Sequence, residues 1–193
     1  MYASGQYPGL ILAAAALLLT QAASATTIGR LSFEEMTDTS ELIVSGKVTR
    51  AWAAWDQDHK YIWTHYELSV RSALKGAPGS TVEFAEPGGT LDGVLLSIAG
   101  SVVYQPGESV LIFLQRMPNG YLRTTGWSQG RFEVDANNRL HADSILRGLE
   151  VVNAGTAAAA ATSLQTLDGM SVGELSSRVT ARMRATARQG RTN

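Results

Sequence analysis

The sequence predicts a mainly β protein, a small antiparallel barrel or sandwich with one appended helix. Two observations lead to this fold class. Apolar and polar side chains alternate with a period of two over most of residues 42–141, and short polar turns interrupt the alternation at close intervals, which is typical of half-buried strands. One apolar stripe with helical spacing follows in residues 171–189, which indicates a single amphipathic helix at the C-terminal end.

The first 25 residues are predicted to be a signal peptide that is removed before folding. An apolar run from Leu10 to Leu19 is followed by Ala23-Ser24-Ala25, which is an A-x-A cleavage site. The run is too short to cross a bilayer as a helix. The alternative is a buried apolar helix of the fold. We expect export to the periplasm or the extracellular space, with a mature chain that begins near Thr26.

The mature chain is expected to be one domain that folds without disulfides. Residues 26–193 are one domain's worth of chain, and a domain of that length buries enough surface for a core without disulfides, in keeping with the absence of cysteine. The formal net charge of −1 gives no electrostatic reason to expect nucleic acid as a partner. No second long apolar run follows, so we expect no transmembrane span in the mature chain. We also expect no cofactor.

Two long strands, joined by a polar loop, are predicted at the start of the mature domain. Residues 41–52 and residues 61–74 both alternate apolar and polar side chains. In the second strand, the even-numbered residues from Ile62 to Val70 share the apolar face, and the odd-numbered residues from Trp63 to Arg71 share the other. A shorter strand at 81–86 follows, and residues 93–104 fit either a strand or a packed loop.

A hairpin is predicted around Asn119-Gly120, where two β-rich runs meet. This dipeptide suits a type I′ turn because both residues tolerate a positive φ. The chain then continues through a strand that contains Phe132 and Val134, and returns through Leu140. We expect these three apolar side chains to face the core.

An alanine-rich connection at 153–170 is expected to lead into the C-terminal helix at 171–189. Ser171 and Glu174 have the spacing of a capping box. Four apolar residues lie on one stripe and are expected to pack on the barrel: Val172, Leu175, Val179 and Met183.

The remainder of this helix is rich in arginine. The basic residues are Arg178, Arg182, Arg184 and Arg188. Cations near the C-terminal end are favoured by the helix dipole, and we expect these side chains to lie in water. The alternative for a basic amphipathic helix is binding to a membrane surface.

A nucleophile-elbow pattern, G-x-S-x-G, occurs at residues 126–130 with Ser128 at its centre. Asp135 and His141 follow in the order that α/β-hydrolases use. An elbow needs a helix directly after the serine, and the residues that follow alternate like a strand. We therefore interpret the match as accidental, a glycine-flanked kink between two antiparallel strands, and expect no catalytic residues.

A metal site can be drawn from the loop between the two long strands. Asp56, Asp58 and His59 lie within four residues, and His65 follows six residues later. The chain lacks the H-E-x-x-H motif, cysteine ligands and EF-hand spacing. We expect a polar hairpin loop here, and no metal ligands.

The same loop is the predicted partner-binding region. It joins the two longest strands, and binding residues concentrate in loops held by a rigid scaffold. The candidate residues are Trp52, Trp55, Asp56, Asp58, His59 and Tyr61. Tryptophan and tyrosine supply large contact area at low entropic cost. The alternative is a solvated loop with one tryptophan folded back on the barrel.

Four segments together form a recognisable series: SELIVSGKVTRAW, YIWTHYELSVRSALKG, GESVLIFLQ and GWSQGRFEV. The series resembles a group of exported bacterial proteins and the netrin-like module of the tissue inhibitors of metalloproteinases. It covers about residues 38–135, and its most specific parts are the strand that ends in Leu74-Lys75-Gly76 and the VLIFL strand. The resemblance implies a Greek-key barrel of OB type, which we expect to occupy residues 26–152.

The inhibitory activity of those proteins is not expected to follow from the resemblance. The tissue inhibitors chelate the protease zinc through the amine and carbonyl of an N-terminal cysteine that a disulfide holds in place. This chain has no cysteine, and its mature form would begin at Thr26. A shared fold does not imply a shared function.

Three functions therefore stay open at the level of sequence. The first is a secreted or periplasmic, non-catalytic binding module for a protein or envelope partner. The second is a protease-directed inhibitor-like protein, which rests on the resemblance alone. The third is a small serine or metal-dependent hydrolase, which rests on Ser128 or on the Asp and His residues of the loop.

Overall fold

The computed structural model describes residue 29, residues 31–142 and residues 166–190. The predicted signal peptide and most of the alanine-rich connection lie outside these residues. The elements and their bounds are α1 (Phe33–Thr39), β1 (Leu42–Trp55), β2 (Ile62–Lys75), β3 (Thr81–Pro87), β4 (Gly89–Leu91), β5 (Val94–Leu96), β6 (Ser109–Arg116), β7 (Leu122–Thr124), a 3-10 turn (Trp127–Gly130), β8 (Arg131–Val134), β9 (Leu140–Ala142) and α2 (Val172–Gln189).

Seven strands form one antiparallel sheet, in the order β3-β2-β1-β6-β8-β9, and β7 also pairs with β6. The strands β4 and β5 form a separate two-stranded ribbon. The long hairpin β1–β2 is the largest element, because both of its strands run for 14 residues. The mainly β class, with an antiparallel sheet and a C-terminal helix, is confirmed.

The described strands do not close into a barrel. Strands β3 and β7 are the edges that lie next to each other, but no ladder joins them within the described residues. We call the gap between these two strands the seam. Its presence makes the architecture an open, strongly curved sheet.

The sheet has an apolar core on each face, and consecutive residues of one strand serve different cores. Ile43 packs in the core under the helices, whereas Val44 packs in the core on the opposite face. Strand β6 alternates in the same way with Leu111 and Ile112. This is the period-two geometry of strands. The predicted core residues Phe132, Val134 and Leu140 all pack in the core under the helices.

Helix α2 docks on the sheet through the predicted stripe. Leu175 and Val179 are fully buried, and Val172 and Met183 pack against the same core. The capping box of Ser171 and Glu174 is formed in both directions. In the part of the chain that is described, no helix is long and apolar enough to cross a membrane.

Two of the arginines on α2, which were predicted to lie in water, are partly exposed and also contact α1. The Arg178 guanidinium lies 4.6 Å from the centre of the Phe33 ring, and Arg182 donates to both carboxylate oxygens of Asp38. Both partners belong to the short helix α1 or its last turn. These contacts were not predicted because α1, which the sequence pattern did not reveal, lies beside α2.

The hairpin turn at Asn119-Gly120 also differs from the prediction. Gly120 has a φ of 86°, but Asn119 is not among the described residues with positive φ. Gly120 N–H donates to the Met117 carbonyl, and Met117 N–H donates to the Tyr121 carbonyl. These bonds define a three-residue loop with glycine at the left-handed position, in place of the predicted two-residue type I′ turn.

Candidate functional site

The loop after β1 is organised by Asp56. Its Oδ1 accepts hydrogen bonds from the backbone N–H groups of Lys60 and Tyr61, at 2.7 and 3.1 Å. His59 takes a left-handed backbone conformation with a φ of 53°. Asp58 is exposed in this turn. Of the predicted acidic residues, Asp56 thus shapes the loop itself, and Asp58 is the one that faces solvent.

Trp55 lies at the end of the long hairpin and is only half-buried. Its Nε1–H donates to Asp92 Oδ2 at 3.2 Å, and its ring stacks near the His59 ring with 6.4 Å between ring centres. Because Asp92 belongs to the turn between β4 and β5, the tips of the two hairpins lie together. Trp55 is thus held at a surface rather than packed in either core.

Large exposed apolar side chains surround these hairpin tips. Tyr61 is 45% exposed and Leu95 of β5 is 73% exposed, and Val94 is exposed next to it. We call this region, formed by Trp55, His59, Tyr61, Val94 and Leu95, the tip surface. The two β5 residues were missed at the level of sequence, because residues 93–104 are nearly continuous in apolar side chains and carry no sign of which ones face outward.

Trp52 is separated from the tip surface, because it lies on the opposite face of the hairpin. Its ring stacks on the His65 ring with 5.4 Å between ring centres. Tyr121 meets His65 edge-on at 5.2 Å and meets Trp63 at the same distance. We call these four rings, Trp52, Trp63, His65 and Tyr121, the aromatic face. The predicted set of site residues is therefore divided between two surfaces.

His65 is only 8% exposed, although the alternation placed it on the outward face of β2. It does lie on that face, where the rings of Trp52 and Tyr121 cover it. Its Nδ1 is 3.1 Å from Glu83 Oε1 on the neighbouring strand. Tyr121 could not be found from the sequence, because it comes from a hairpin more than fifty positions later in the chain.

A cleft of about 280 Å³ adjoins the aromatic face. One wall is the outer edge of β3 at Glu83 and Ala85, and the other is the hairpin between β6 and β7 at Tyr121 and Leu122. The cleft therefore occupies the seam between the two unpaired strand edges. We call it the seam cleft.

The seam is bridged at one point by a buried carboxylate. Glu86 of β3 is 1% exposed, and its two oxygens accept from the Thr124 backbone N–H at 2.8 Å and from Arg123 Nε at 3.2 Å. Burial raises the pKa of Glu86 despite these hydrogen bonds. Tyr104 donates to or accepts from Thr124 Oγ1 at 2.6 Å, and burial raises its pKa well above 10.

The structure does not assemble the residues of the elbow pattern. Ser128 lies in a 3-10 turn between β7 and β8 and is buried. His141 Nε2 is 3.1 Å from Asp135 Oδ2, but within the described ranges no hydrogen bond connects Ser128 Oγ to His65 or His141. The segment is a 3-10 turn between β7 and β8, which both pair antiparallel with β6 and therefore run in the same direction. The predicted kink is present, but the two strands that it joins are not antiparallel to each other.

The other residues of this motif have identifiable structural roles. The Gln129 side chain accepts from Leu31 N–H and donates to the Gly29 carbonyl, so it holds the N-terminal segment against the turn. A Cβ at Gly130 would lie 2.4 Å from the Thr125 carbonyl oxygen. Trp127 adopts a φ of 61° and covers the Arg123 guanidinium at 3.5 Å.

The residues of the metal alternative are also not brought together. Asp56 and His59 lie in the loop, whereas His65 lies on the aromatic face beside Glu83. Among the residues that the structure describes, no group of three or more His, Cys, Asp and Glu side chains could hold a metal ion.

No protein-family model, no curated protein and no solved structure matches the chain. A function is therefore inferred from the geometry of the chain's own residues.

Proposed function

We propose that the protein is an exported, non-catalytic binding module that engages a protein partner outside the cytoplasm through the tip surface. Export rests on the apolar run and the A-x-A site of residues 1–25. The scaffold of the proposal is the OB-type, netrin-like barrel that the sequence resemblance implies. The adjacent edges of β3 and β7, bridged by Glu86, are compatible with such a barrel.

The observation that supports this function is the set of exposed apolar side chains that the two hairpins carry near their tips. Tyr61 and Leu95 expose large apolar area at the end of the molecule where Trp55 is also accessible. Contiguous exposed apolar patches mark interaction sites in soluble proteins. The Trp55–Asp92 hydrogen bond holds the Trp55 ring, and Asp56 holds the backbone of the loop, which lowers the entropic cost of binding.

Replacement of Trp55 tests the proposal. Trp55→Ala is expected to weaken partner binding by about 2 kcal/mol or more, since a rigid tryptophan at the centre of an interface is a typical hot spot. The mature chain, immobilised, is used to isolate the partner from an envelope extract of the producing organism. The dissociation constant of the purified pair is then measured by calorimetry for each variant.

Two matched variants make the outcome interpretable. Trp55→Phe keeps an aromatic ring but loses the hydrogen bond to Asp92 and part of the ring area, so it should retain more of the affinity than Trp55→Ala. Arg184→Ala changes an exposed residue of α2, far from the tip surface in sequence, and should leave binding unchanged. A Trp55→Ala variant that melts at a lower temperature yet binds with unchanged affinity would refute the proposed role.

A further inference from the structure

The outer edge of β3 carries backbone groups that pair with no other strand. Gly88 N–H donates to the Ile62 carbonyl and Val70 N–H donates to the Ser80 carbonyl, at the two ends of the β2–β3 ladder. Antiparallel pairs alternate between hydrogen-bonded and non-hydrogen-bonded residues. The N–H and C=O groups of Thr81, Glu83 and Ala85 consequently point away from β2, toward the seam.

The facing edge of β7 is arranged in the same way. Met117 N–H donates to the Tyr121 carbonyl and Thr125 N–H donates to the Phe113 carbonyl, so the backbone of Leu122 and Thr124 points toward β3. Thr124 N–H is taken by the Glu86 carboxylate. Across the described residues no backbone hydrogen bond crosses the seam.

The seam is therefore closed at one end and open at the other. Glu86 fills it beside Thr124, whereas the seam cleft lies beside Glu83 and Ala85. Exposed strand edges are usually protected, since unpaired N–H and C=O groups are a template for another strand. The free stretch of β3 is five residues long, from Thr81 to Ala85, and ends at the cleft.

Glu83 places a carboxylate at this edge, and Arg116, which also lines the seam cleft, is paired with Glu41. Glu83 has a side chain that is 60% exposed, and only its Oε1 is engaged, by His65. Glu67 lies directly across the β2–β3 ladder from Glu83, with Arg50 3.8 Å from its carboxylate. A residue paired with Glu83 on its free side would have its side chain on this same face, where a lysine or arginine complements the carboxylate.

We propose that the free edge of β3 binds an extended peptide segment that adds a strand to the sheet, with a basic side chain opposite Glu83. The backbone of Thr81, Glu83 and Ala85 supplies the hydrogen bonds, as in other complexes formed by strand addition. The end of the peptide enters the seam cleft between Glu83 and Tyr121. This inference rests on the proposed function in that the peptide belongs to the protein partner, but it uses a different surface.

Amide hydrogen exchange with defined peptides tests the strand addition. The probes are a capped five-residue peptide of alternating valine and lysine and the same peptide with glutamate in place of lysine. At saturating lysine peptide, exchange of the Glu83 and Ala85 amides should slow by about tenfold or more. The Val82 and Phe84 amides, which already face β2, should be unaffected. The glutamate peptide should leave all four amides unchanged.

Two variants separate backbone pairing from charge. Ala85→Pro removes an N–H that points away from β2, a position where an edge strand tolerates proline, and should lower affinity for the lysine peptide by about tenfold, or about 1.4 kcal/mol. Glu83→Lys should invert the preference, so that the glutamate peptide protects the Ala85 amide. If Ala85→Pro does not fold, the inversion by Glu83→Lys still decides the question. Glu34→Lys, an equal charge change on α1, should preserve the original preference.

Three outcomes would overturn the proposal. The first is the absence of protection at either amide with the lysine peptide. The second is equal protection by both peptides. The third is protection that grows with protein concentration in the absence of peptide, which would assign the edge to a second copy of the chain. Trp55→Ala should leave the peptide result intact, so failure of the tip surface and failure of this edge are distinguishable.

Discussion

At the scale of single residues, Glu86 is the buried carboxylate that bridges the seam. It is buried between two strand edges and supplies the acceptor that a backbone carbonyl would supply in a closed sheet. Its partner Arg123 is 9% exposed and is covered by the Trp127 ring. Removing one member of a buried ion pair leaves the other charge buried without a partner. We therefore expect Glu86 to control how tightly β3 and β7 are held together.

The pH dependence of stability reports on Glu86. Burial raises its pKa in the folded state above the usual 4.5, so the folded state binds the proton more tightly than the unfolded state. This contribution to stability is present at pH below about 4.5 and is lost as the pH rises through the folded pKa. The measurement is the free energy of unfolding of the wild type and of Glu86→Gln, obtained by urea denaturation from acidic to neutral pH. The amount by which the wild type is more stable than the variant should decrease as the pH rises.

Tyr104→Phe is the matched control for this measurement. The Tyr104 hydroxyl bonds Thr124 next to Glu86, but its pKa is well above 10, so it does not titrate between acidic and neutral pH. The stability difference between wild type and Tyr104→Phe should be constant over that range. If the Glu86→Gln difference instead grew with pH, the ion pair with Arg123 would outweigh burial and the expected direction would be wrong.

Some single-residue properties were available from the sequence and others were not. Alternation correctly placed His65 on the outward face of β2 and Phe132 in a core, because the period of a strand is local. The burial of His65 and the role of Glu86 were not predictable, because both depend on residues from β6–β7, namely Tyr121 and Arg123. Local sequence carries no information about which distant side chain covers a given position.

At the scale of elements, α2 was the most predictable and β7 the least. The capping box and the apolar stripe fix the start and the buried face of α2, and the structure has both. Strand β7 is three residues long, and its position depends on the three-residue loop before it and the 3-10 turn after it. Asn-Gly indicated a hairpin correctly, but the same dipeptide also suits the longer loop that is present.

Leu175→Ala tests the docking of α2. Leu175 is fully buried in the core under the helices, and truncation of such a side chain costs about 2 to 5 kcal/mol. For a domain of this size, that cost should lower the melting temperature by roughly 4 °C or more. Arg184→Ala, at an exposed position of the same helix, should change it by much less. An unchanged melting curve for Leu175→Ala, together with binding to anionic vesicles, would favour the membrane-surface alternative.

At the scale of the whole molecule, the antiparallel β class was predictable and the open seam was not. Fold class follows from the local period of the apolar pattern, which every long strand of the chain shows. Closure of a barrel requires two edges far apart in sequence to match in register. Here β3 ends in Pro87, which lacks an N–H group, and β7 is short. These two features favour a side-chain bridge at Glu86 over a continuous ladder.

The two cores share their central strands, so the molecule should unfold as one unit. Leu111 and Ile112 are adjacent on β6, yet Leu111 packs under the helices and Ile112 packs on the other face. Because both cores pack on β6, the loss of one core also destabilises the strand on which the other core packs. Leu111→Ala and Ile112→Ala should each cost about 2 to 5 kcal/mol, and each variant should still melt in a single transition.

The measurement compares two signals that report on different elements. The helical part of the far-ultraviolet circular dichroism follows α1 and α2, and tryptophan fluorescence follows Trp52, Trp55 and Trp63 on the β1–β2 hairpin, with Trp127 beside the seam. Coincident transitions by both signals are the mark of two-state unfolding. If the cores were independent, Leu111→Ala would shift the helix signal to lower temperature and leave the tryptophan signal in place. Coincidence of the two curves in both variants would instead show that the shared strands β1 and β6 couple the helix side to the surface that carries the proposed binding sites.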